Sequence, residues 1–470
     1  MPRNPGGTVS GFKLLSTPDA PTITGVTTSI GSASVAFTAP SDTGDGAITS
    51  YVVTAVDESS GASTGATGAS SPISLSLSSG TFKIRMQALN PYGPGRLTEY
   101  DTGISPLSGL QLYGWGDNSP LGPIGDNTTV DKSSPVQVGA PTTWSLVSAG
   151  ENHTAAIKTD NSLYAWGGNS TGAVGDGSVV SRSSPVQVGA LTNWAQVSCG
   201  GDSTASVKTD GTLWSWGRNG NGQLGHGNHV YRSSPTQVGA LTNWAQVSFG
   251  YNFCHAVKTD NSIWSWGRNT SVGVLGHNDT TNRSSPVQIG ALTDWAQVSS
   301  GGSSSALAVK TNGTLWAWGS NSDGRLGDGN TIDKSSPVQI GALTNWSQSS
   351  MGVATAAALK TNGTLWAWGY AAQGNIGDGT TVARSSPVQI GASTDWSLVE
   401  SSQNTPSSGQ NFTTALKTNG TLWSWGFNGG GQLGDNTTVN RSSPIQIGSD
   451  TAWTFTTTGG KHALALYGVV

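Results

Sequence analysis

The stretch that decides the fold runs from Trp194 to Gly239, WAQVSCGGDSTASVKTDGTLWSWGRNGNGQLGHGNHVYRSSPTQVG, because most of the chain repeats it. The Trp of its W-G pair recurs at Trp115, Trp166, Trp216, Trp266, Trp318, Trp368 and Trp425. The Trp that opens the stretch recurs at Trp144, Trp194, Trp244, Trp295, Trp346, Trp396 and Trp453. The other five of the 19 Trp stand two residues before a W-G Trp. Self-similarity with a period of about 50 residues predicts a solenoid, an array or a propeller.

The local sequence pattern favours a propeller over a solenoid or an array. In T-L-W-S-W the residues alternate, so Trp214 and Trp216 share one face of a strand. The preceding K-T-D-G or K-T-N-G is a hairpin signal. Two short runs before the hairpin and P-T-Q-V-G after it read as three more strands. Four short strands in each repeat are typical of a propeller blade.

The two ends of the repeat region complement each other. The first copy begins at its W-G strand, Leu112–Gly116, without the strands that precede it elsewhere. The last copy, Trp453–Leu466, consists of those preceding strands without a hairpin. The sequence therefore predicts a seven-bladed β-propeller over residues 110–470, with one blade closed by both ends so that no sheet edge stays open.

The pattern W-x-x-V-x-x-G, then A-x-K-T-D/N-G-T-L-W-x-W-G-x-N-x-x-G-x-L-G, then S-S-P-x-Q-V/I-G resembles the regulator of chromosome condensation repeat family. The resemblance covers roughly residues 110–470 and implies a seven-bladed propeller. The family includes nucleotide exchange factors, enzyme inhibitors and members without an assigned role, so the resemblance does not carry one function to this chain.

The segment before the repeats has a different pattern. Residues 1–17 are rich in Pro and Gly and read as an N-terminal arm. Residues 18–107 contain no Trp and predict a small β-sandwich. Its expected strands are Ala33–Thr38, Ser50–Val56, Ile73–Leu77, Thr81–Ala88 and Thr98–Ile104. Runs such as S-V-A-F-T-A-P and G-T-F-K-I-R-M-Q-A-L-N-P-Y-G resemble a fibronectin type III domain, with Phe37 and Phe82 where that family usually has Trp and Tyr.

The amino-acid composition makes several classes of function unexpected for this chain. Charged residues make up 10% of the chain and the net charge is −4, without a basic tail. Binding to nucleic acid needs clustered Lys and Arg, so we expect no nucleic-acid partner. There is no signal-peptide pattern and no apolar run long enough to insert into a membrane. The six His show no metal-ligand spacing, and we expect neither a metal nor a cofactor.

Two charged patterns recur with the repeat. An Asp six residues before Lys or Arg, as in Asp176 and Arg182, predicts an ion pair that braces a loop, with His226 and His277 replacing the Asp in two copies. The alternative is a ring of cations on one rim that binds an acidic partner. A Lys before each hairpin turn reads as a solvated hairpin end. These six are Lys158, Lys208, Lys258, Lys310, Lys360 and Lys417.

The candidate binding residues lie where the repeats differ most. Aromatic residues in the loops after and between strands can stack on sugar rings or fill a pocket of a partner protein. Trp396 and Trp453 are 57 positions apart, and the excess falls in residues 401–411, a polar insertion expected on one rim. The candidates are Tyr231, Tyr251, Tyr370, Phe427, Ser401, Gln403 and Asn404.

These features favour a non-enzymatic structural or adhesion protein on the surface of a bacteriophage particle. The arm and sandwich would attach to other virion proteins in a homo-oligomeric or larger assembly. The propeller would bind a host-surface glycan or protein. The alternative is a secreted bacterial propeller that binds or inhibits another protein. A propeller enzyme would need a rim cluster of carboxylates or His, which the sequence does not predict.

Overall fold

The computed structural model describes residues 16–29, 32–58, 60–77, 81–104, 110–139, 143–269, 271–302, 304–402 and 410–468. The chain divides into two compact units, residues 1–108 with 469–470 and residues 109–468. Throughout the described ranges the regular elements are β-strands. None of the described residues forms a helix with the length and apolarity that a membrane crossing requires.

The first unit is a β-sandwich. Its strands are β1 (Thr22–Ser29), β2 (Ser32–Thr38), β3 (Ser50–Asp57), β4 (Ser63–Gly68), β5 (Ile73–Ser76), β6 (Phe82–Asn90), β7 (Gly93–Pro94) and β8 (Thr98–Ile104). One sheet has the order β1-β2-β5, and the other has the order β4-β3-β6-β7 with β8 also on β6. Alternating residues such as Val35, Val53 and Ile84 point between the sheets and form one buried core.

The sequence pattern did not predict β1, β4 or the two-residue strand β7. The strand β1 carries Thr at four of its eight positions, and β4 (STGATG) has no large apolar residue. The backbone of β4 pairs with β3 over six residue pairs, from Tyr51–Gly68 to Val56–Ser63. The residues of β4 form a strand because their backbone pairs with β3, and not because β4 has an apolar face.

The second unit consists of short strands in the repeat order. They begin with β9 (Leu110–Gly116), β10 (Lys132–Gln137), β11 (Trp144–Ala149), β12 (His153–Lys158), β13 (Leu163–Gly167), β14 (Arg182–Gln187), β15 (Trp194–Cys199), β16 (Ser203–Lys208), β17 (Leu213–Gly217), β18 (Arg232–Gln237), β19 (Trp244–Phe249), β20 (Phe253–Lys258), β21 (Ile263–Gly267) and β22 (Arg283–Gln288). They continue with β23 (Trp295–Gly301), β24 (Ser305–Lys310), β25 (Leu315–Gly319), β26 (Lys334–Gln339), β27 (Trp346–Met351), β28 (Thr355–Lys360), β29 (Leu365–Gly369), β30 (Arg384–Gln389), β31 (Trp396–Ser401), β32 (Phe412–Lys417), β33 (Leu422–Gly426), β34 (Arg441–Gln446), β35 (Trp453–Thr458) and β36 (His462–Gly468).

These strands form antiparallel blades. Five blades are separate four-stranded sheets, β15-β16-β17-β18 and its successors up to β31-β32-β33-β34. The strands β11 to β14 form a similar four-stranded set. One residue pair, Trp144–Leu110, connects β11 of this set to β9, and β9 belongs to the sheet formed by the two ends of the repeat region. The prediction of four short strands in each repeat is confirmed for these copies.

One blade combines the two ends of the repeat region. Strand β36 pairs with β9 along its whole length, from His462–Gly116 to Gly468–Leu110. Strand β35 pairs with β36 on one side, and β10 pairs with β9 on the other. We call the set β35-β36-β9-β10 the closing blade.

The Trp of each W-G pair joins neighbouring blades. All of these indoles are fully buried. Each indole nitrogen donates a hydrogen bond to a backbone carbonyl in the preceding repeat, as Trp216 does to Ala173 at 2.9 Å. The corresponding pairs are Trp115–Gln432, Trp166–Pro123, Trp266–Gln223, Trp318–Val274, Trp368–Arg325 and Trp425–Asn375. The apolar ring is thus buried between blades, and its one polar atom has a hydrogen-bond partner there.

The Gly of the W-G pair is required by its backbone. Gly217 has a φ of 101°, and an added Cβ would come within 2.5 Å of the Asp202 carbonyl oxygen. Only glycine accepts this combination of positive φ and close approach. This turn directs the chain out of the blade and into the long loop that follows.

Candidate functional site

The loops that follow the W-G pairs lie at one end of the blades. Each starts next to the short loop between the first two strands of its blade. The Arg218 amide donates to the Asp202 carbonyl at 2.9 Å, and the Tyr370 amide donates to the Ala354 carbonyl at 2.8 Å. We call this end of the blades the W-G rim.

The predicted aromatic candidates all reach the W-G rim. Tyr231 precedes β18, whose Arg232 pairs with Gly217, and 47% of its surface is exposed. Tyr251, Tyr370 and Phe427 are half-buried. Residues from separate repeats therefore share one face of the unit.

The structure describes only part of the predicted polar insertion at residues 401–411. Ser401 is 2% exposed, and its backbone amide donates to the Ser350 hydroxyl at 2.9 Å. The prediction that Ser401 is a rim binding residue is wrong, because the residue is the end of strand β31 rather than the start of the insertion. Gln403 and Asn404 lie outside the described residues. At the other end of the insertion, the Phe427 amide donates to the Asn411 carbonyl at 2.9 Å.

One sector of the W-G rim collects charged side chains from several repeats. Arg218 Nη1 lies 3.6 Å from Asp202 Oδ2, and Lys461 Nζ lies 3.7 Å from Asp117 Oδ2. Glu151 lies near Asp202, Lys461, Arg218 and Tyr251, all of which affect its pKa. We call these residues, Asp117, Glu151, Asp202, Arg218, Tyr251 and Lys461, the charged sector.

Burial shapes the electrostatics of the charged sector. Burial, followed by the charge of Asp202, raises the pKa of Glu151, while Tyr251, Lys461 and Arg218 oppose this. Burial also raises the pKa of Asp202, against the opposing effect of Arg218. The sector therefore holds two carboxylates that are partly desolvated yet matched by cations and a phenol, which suits recognition of a polar ligand.

The remainder of the W-G rim is less polar. Val353, Ala354, Tyr370 and Phe427 occupy the equivalent loops in the blades from β27 to β34. The Arg325 guanidinium donates to the Val353 carbonyl and pairs with Asp323. The W-G rim thus has a charged sector and an aromatic sector, and the aromatic sector lies next to Ser402 and Asn411.

The recurring acid and base pairs brace the loops after the W-G pairs. Arg182, Arg384 and Arg441 each contact their Asp at 2.7 Å, and the two Lys pairs measure 3.2 Å and 3.4 Å. The ion-pair prediction is confirmed. In the two copies with His, Ser215 and Ser265 contact the imidazoles of His226 and His277 instead.

Comparison with known proteins agrees with this architecture. The family model described as RCC1-like domain matches residues 107–344, and the model of the regulator of chromosome condensation (RCC1) repeat matches residues 419–466. The chain belongs to the RCC1-like domain family.

Two solved structures share the fold of this chain at low sequence identity. Human WBSCR16 superposes with a TM-score of 0.68 at 20% identity, over 77% of this chain and 99% of that one. Prp20p of Saccharomyces cerevisiae, whose structure was reported with its binding to Gsp1p and histones, gives a TM-score of 0.65 at 18% identity, over 77% and 92% of the chains.

A curated relative matches over a short stretch. The ultraviolet-B receptor UVR8 of Arabidopsis thaliana is 38% identical over 69 residues, which is 14% of this chain and 16% of that protein. This chain therefore aligns with about a sixth of the relative's length, and the match supports membership of the RCC1-like family rather than a shared role.

The hairpin lysines of this RCC1-like chain are buried or half-buried. Lys208 is 5% exposed, and its Nζ lies 3.7 Å from the centre of the Trp214 ring and 4.7 Å from that of Trp194. All six lysines take this position, with ring distances from 3.6 Å to 5.3 Å. The prediction of solvated hairpin ends is wrong, because each ammonium is held by two aromatic faces.

The two histidines that share one repeat position, at the start of β12 and of β36, have structural contacts. Both His153 and His462 are fully buried, and each Nε2 contacts a Thr hydroxyl, Thr204 and Thr154 respectively. Burial lowers the pKa of His153 to about 4 and that of His462 to about 3. Across the described residues no group of three or more His, Cys, Asp or Glu could hold a metal ion.

The first strands of the blades line a narrow central cavity of about 170 Å³. Glu400 projects into it beside Ser and Val residues, and the Ser350 hydroxyl donates to its carboxylate at 3.3 Å. Burial raises the pKa of Glu400 to about 7. The buried position of Glu400 therefore disfavours its ionised form in the folded chain.

Proposed function

We propose that the second unit is a seven-bladed propeller and that the first is a fibronectin type III-like sandwich. Support for the number of blades comes from the pairing of β36 with β9, which adds the closing blade to the sets that begin at β11, β15, β19, β23, β27 and β31. The hydrogen bond from Trp115 to the Gln432 carbonyl supports a closed ring. The two-sheet core around Val35, Val53 and Ile84 supports the sandwich.

We propose further that the protein is a non-enzymatic binding protein displayed on a bacteriophage particle. In this proposal the arm and sandwich attach to other virion proteins, and the W-G rim faces outward to bind a host-surface glycan or protein. The main support for this proposal is that four aromatic residues from four repeats share one rim, namely Tyr231, Tyr251, Tyr370 and Phe427. Exposed aromatic rings beside fixed polar groups are common in surfaces that bind sugars and proteins.

The charged sector supports binding rather than catalysis. A pair of carboxylates, Glu151 and Asp202, is the arrangement that a propeller enzyme would need. Here Asp202 is paired with Arg218, and Glu151 lies near Tyr251, Lys461 and Arg218, which lower its pKa. Carboxylates held in this way are suited to accept hydrogen bonds from a ligand.

The second candidate is a secreted bacterial propeller that binds or inhibits another protein. The charged sector favours a protein ligand, since matched charges orient protein partners. Prp20p, a structural relative, binds the proteins Gsp1p and histones, which is a precedent for protein recognition on this fold.

Immunogold labelling of purified particles with an antibody to residues 111–468 tests the first candidate. We expect label on the particle surface, at the tail for a receptor-binding protein or over the shell for a decoration protein. Unlabelled particles with the protein free in the medium would reject the virion role and favour the secreted binder.

The rim itself is tested with the purified chain on host cells. Tyr370→Ala combined with Phe427→Ala should reduce cell binding at least tenfold if the aromatic sector binds, and Glu151→Gln combined with Asp202→Asn should do so if the charged sector binds. Tyr92→Ala removes an exposed tyrosine from the sandwich and serves as the matched control. Equal binding by all three variants would reject the W-G rim as the binding face.

A further inference from the structure

The closing blade differs from the other blades at the lysine position. In the other blades the opening Trp pairs across the first two strands with a lysine, as Trp194 does with Lys208. In the closing blade Trp453 pairs with Tyr467 instead. The second aromatic of the stack is Tyr113, in the slot of Trp214. An ammonium held by two rings is therefore replaced by a third aromatic ring.

The three rings contact one another edge to face with nearly perpendicular planes, and we call this group the aromatic box. The centres of Trp453 and Tyr467 are 5.0 Å apart with an interplanar angle of 74°. Those of Tyr113 and Trp453 are 5.4 Å apart at 78°, and those of Tyr113 and Tyr467 are 5.9 Å apart at 69°. Both tyrosines are half-buried, so this box reaches solvent.

All three rings line one cavity of about 640 Å³ between the closing blade and the blade before it. A corresponding groove between two earlier blades, beside Trp346 and Trp366, measures about 330 Å³. Leu343 lines that groove, whereas Asp450 occupies the equivalent position in the closing blade. The larger cavity has therefore exchanged an apolar side chain for a carboxylate.

The carboxylate of Asp450 supplies negative charge to the cavity. Within the part of the chain that the structure describes, no Lys or Arg pairs with Asp450. Asp435, which also lines the cavity, is paired with Arg441 at 2.7 Å. Asp450 lines the same cavity as Tyr113, Trp453 and Tyr467, so its carboxylate is close to the aromatic rings. Burial raises the pKa of Tyr113, and the nearby Tyr467 and Asp450 raise it further.

The closing blade also differs from two other blades in the residue before the opening Trp. Lys310 lies 3.2 Å from Asp294, and Lys417 lies 3.1 Å from Asp395, in each case the residue before the opening Trp. That position in the closing blade is Ala452. A bound ammonium would therefore lack this one acceptor, which a quaternary ammonium does not need because it has no N–H donor.

We propose that the cavity bounded by Tyr113, Trp453, Tyr467 and Asp450 binds a trimethylammonium group of the choline type. The aromatic faces stabilise the cation through their quadrupoles, and Asp450 balances its charge. The cavity is lined by none of the residues of the charged sector or the aromatic sector of the W-G rim, so the site does not depend on the function proposed for that rim.

Isothermal titration calorimetry of the full chain with choline chloride tests the proposal. We expect a dissociation constant between about 10 µM and about 1 mM. The neutral isostere 3,3-dimethyl-1-butanol should bind at least about tenfold more weakly, because it has the same shape without the charge. Equal affinity for the two ligands would overturn the proposal.

Tyr467→Lys is the decisive variant, because it installs the lysine found in the other blades. Its own ammonium should occupy the box and reduce choline affinity at least about tenfold, without lowering the melting temperature by more than a few degrees. Asp450→Asn should weaken binding severalfold with the rings intact. Tyr92→Ser in the sandwich should bind choline as the wild type does. Unchanged affinity in both Tyr467→Lys and Asp450→Asn would overturn the site.

Phosphocholine distinguishes the two sources of the group. Asp435 and Asp450 line the same cavity, so a phosphate nearby is unfavourable, and phosphocholine should bind no more tightly than choline. Clearly tighter binding of phosphocholine would contradict the role given to Asp450.

Discussion

The indole nitrogen of Trp115 donates a 2.8 Å hydrogen bond to the carbonyl oxygen of Gln432, although the two residues lie 317 positions apart in the chain. The other W-G indoles make the same bond to a repeat about 43 to 50 residues away. The bond of Trp115 therefore joins the last complete blade to the closing blade.

Trp115→Phe should lower the free energy of unfolding by about 2 kcal/mol, because it removes the donor to Gln432 and leaves a small cavity. Urea denaturation followed by circular dichroism gives the value. Trp266→Phe, which loses the equivalent bond to Gln223 within the chain's interior repeats, is the matched comparison and should lose a similar amount. A loss below about 0.5 kcal/mol for Trp115→Phe would show that the ends are not held by this contact.

Lys208→Met should lower the free energy of unfolding by about 1 kcal/mol. Met keeps the volume of the side chain but removes the cation that lies over Trp194 and Trp214. Lys461→Met removes a half-exposed lysine from the rim and should change stability by less than about 0.5 kcal/mol. Chemical denaturation of both variants makes the comparison, and equal effects would mean that the aromatic stack adds nothing beyond an ordinary surface charge.

Glu400→Gln should make the stability of the protein less sensitive to pH. Burial raises the pKa of Glu400 to about 7 in the folded state, above its value in the unfolded chain, so its ionisation opposes folding above that pH. The variant should therefore melt at a higher temperature than the wild type at pH 8, and the difference should shrink towards pH 5. Thermal melts at both values test this, and a difference that grows on acidification would contradict it.

The buried imidazoles predict loss of stability in acid. Burial lowers the pKa of His462 to about 3 and that of His153 to about 4, below the value of about 6.5 expected for an unfolded chain. The unfolded state then binds more protons, so stability should fall as the pH drops from about 6.5 towards 4. His462→Gln should flatten this part of a stability-against-pH curve, and a variant curve parallel to that of the wild type would contradict the assignment.

Neither cysteine should react in the native protein. Cys199 and Cys254 are free and fully buried, and burial raises the pKa of Cys199 to about 12. The thiolate is the reactive form, so both thiols should resist a thiol-specific reagent such as 5,5′-dithiobis(2-nitrobenzoic acid) until the chain unfolds. Rapid labelling in buffer would show that the blades open, and 6 M guanidinium provides the positive control.

The sequence by itself determined the repeat unit of this protein. The period of about 50 residues, the alternation in L-W-S-W and the K-T-D-G turns specify strands and hairpins through local chemistry. The complementary ends predicted the partners β9 and β36, because a missing strand set at one end had its counterpart at the other. The acid and base pairs were also predictable, since their six-residue spacing falls within one loop.

Only the tertiary structure decided how residues of different repeats meet. Asp202, Glu151 and Lys461 are far apart in sequence and carry no shared pattern, yet adjacent blades place them in one charged sector. The burial of Lys208 over two rings and of Ser401 at a strand end depends on neighbouring strands rather than on residue type. The box of Tyr113, Trp453 and Tyr467 forms because the two ends of the repeat region share one sheet. Contacts of this kind depend on packing between distant segments, which local periodicity does not encode.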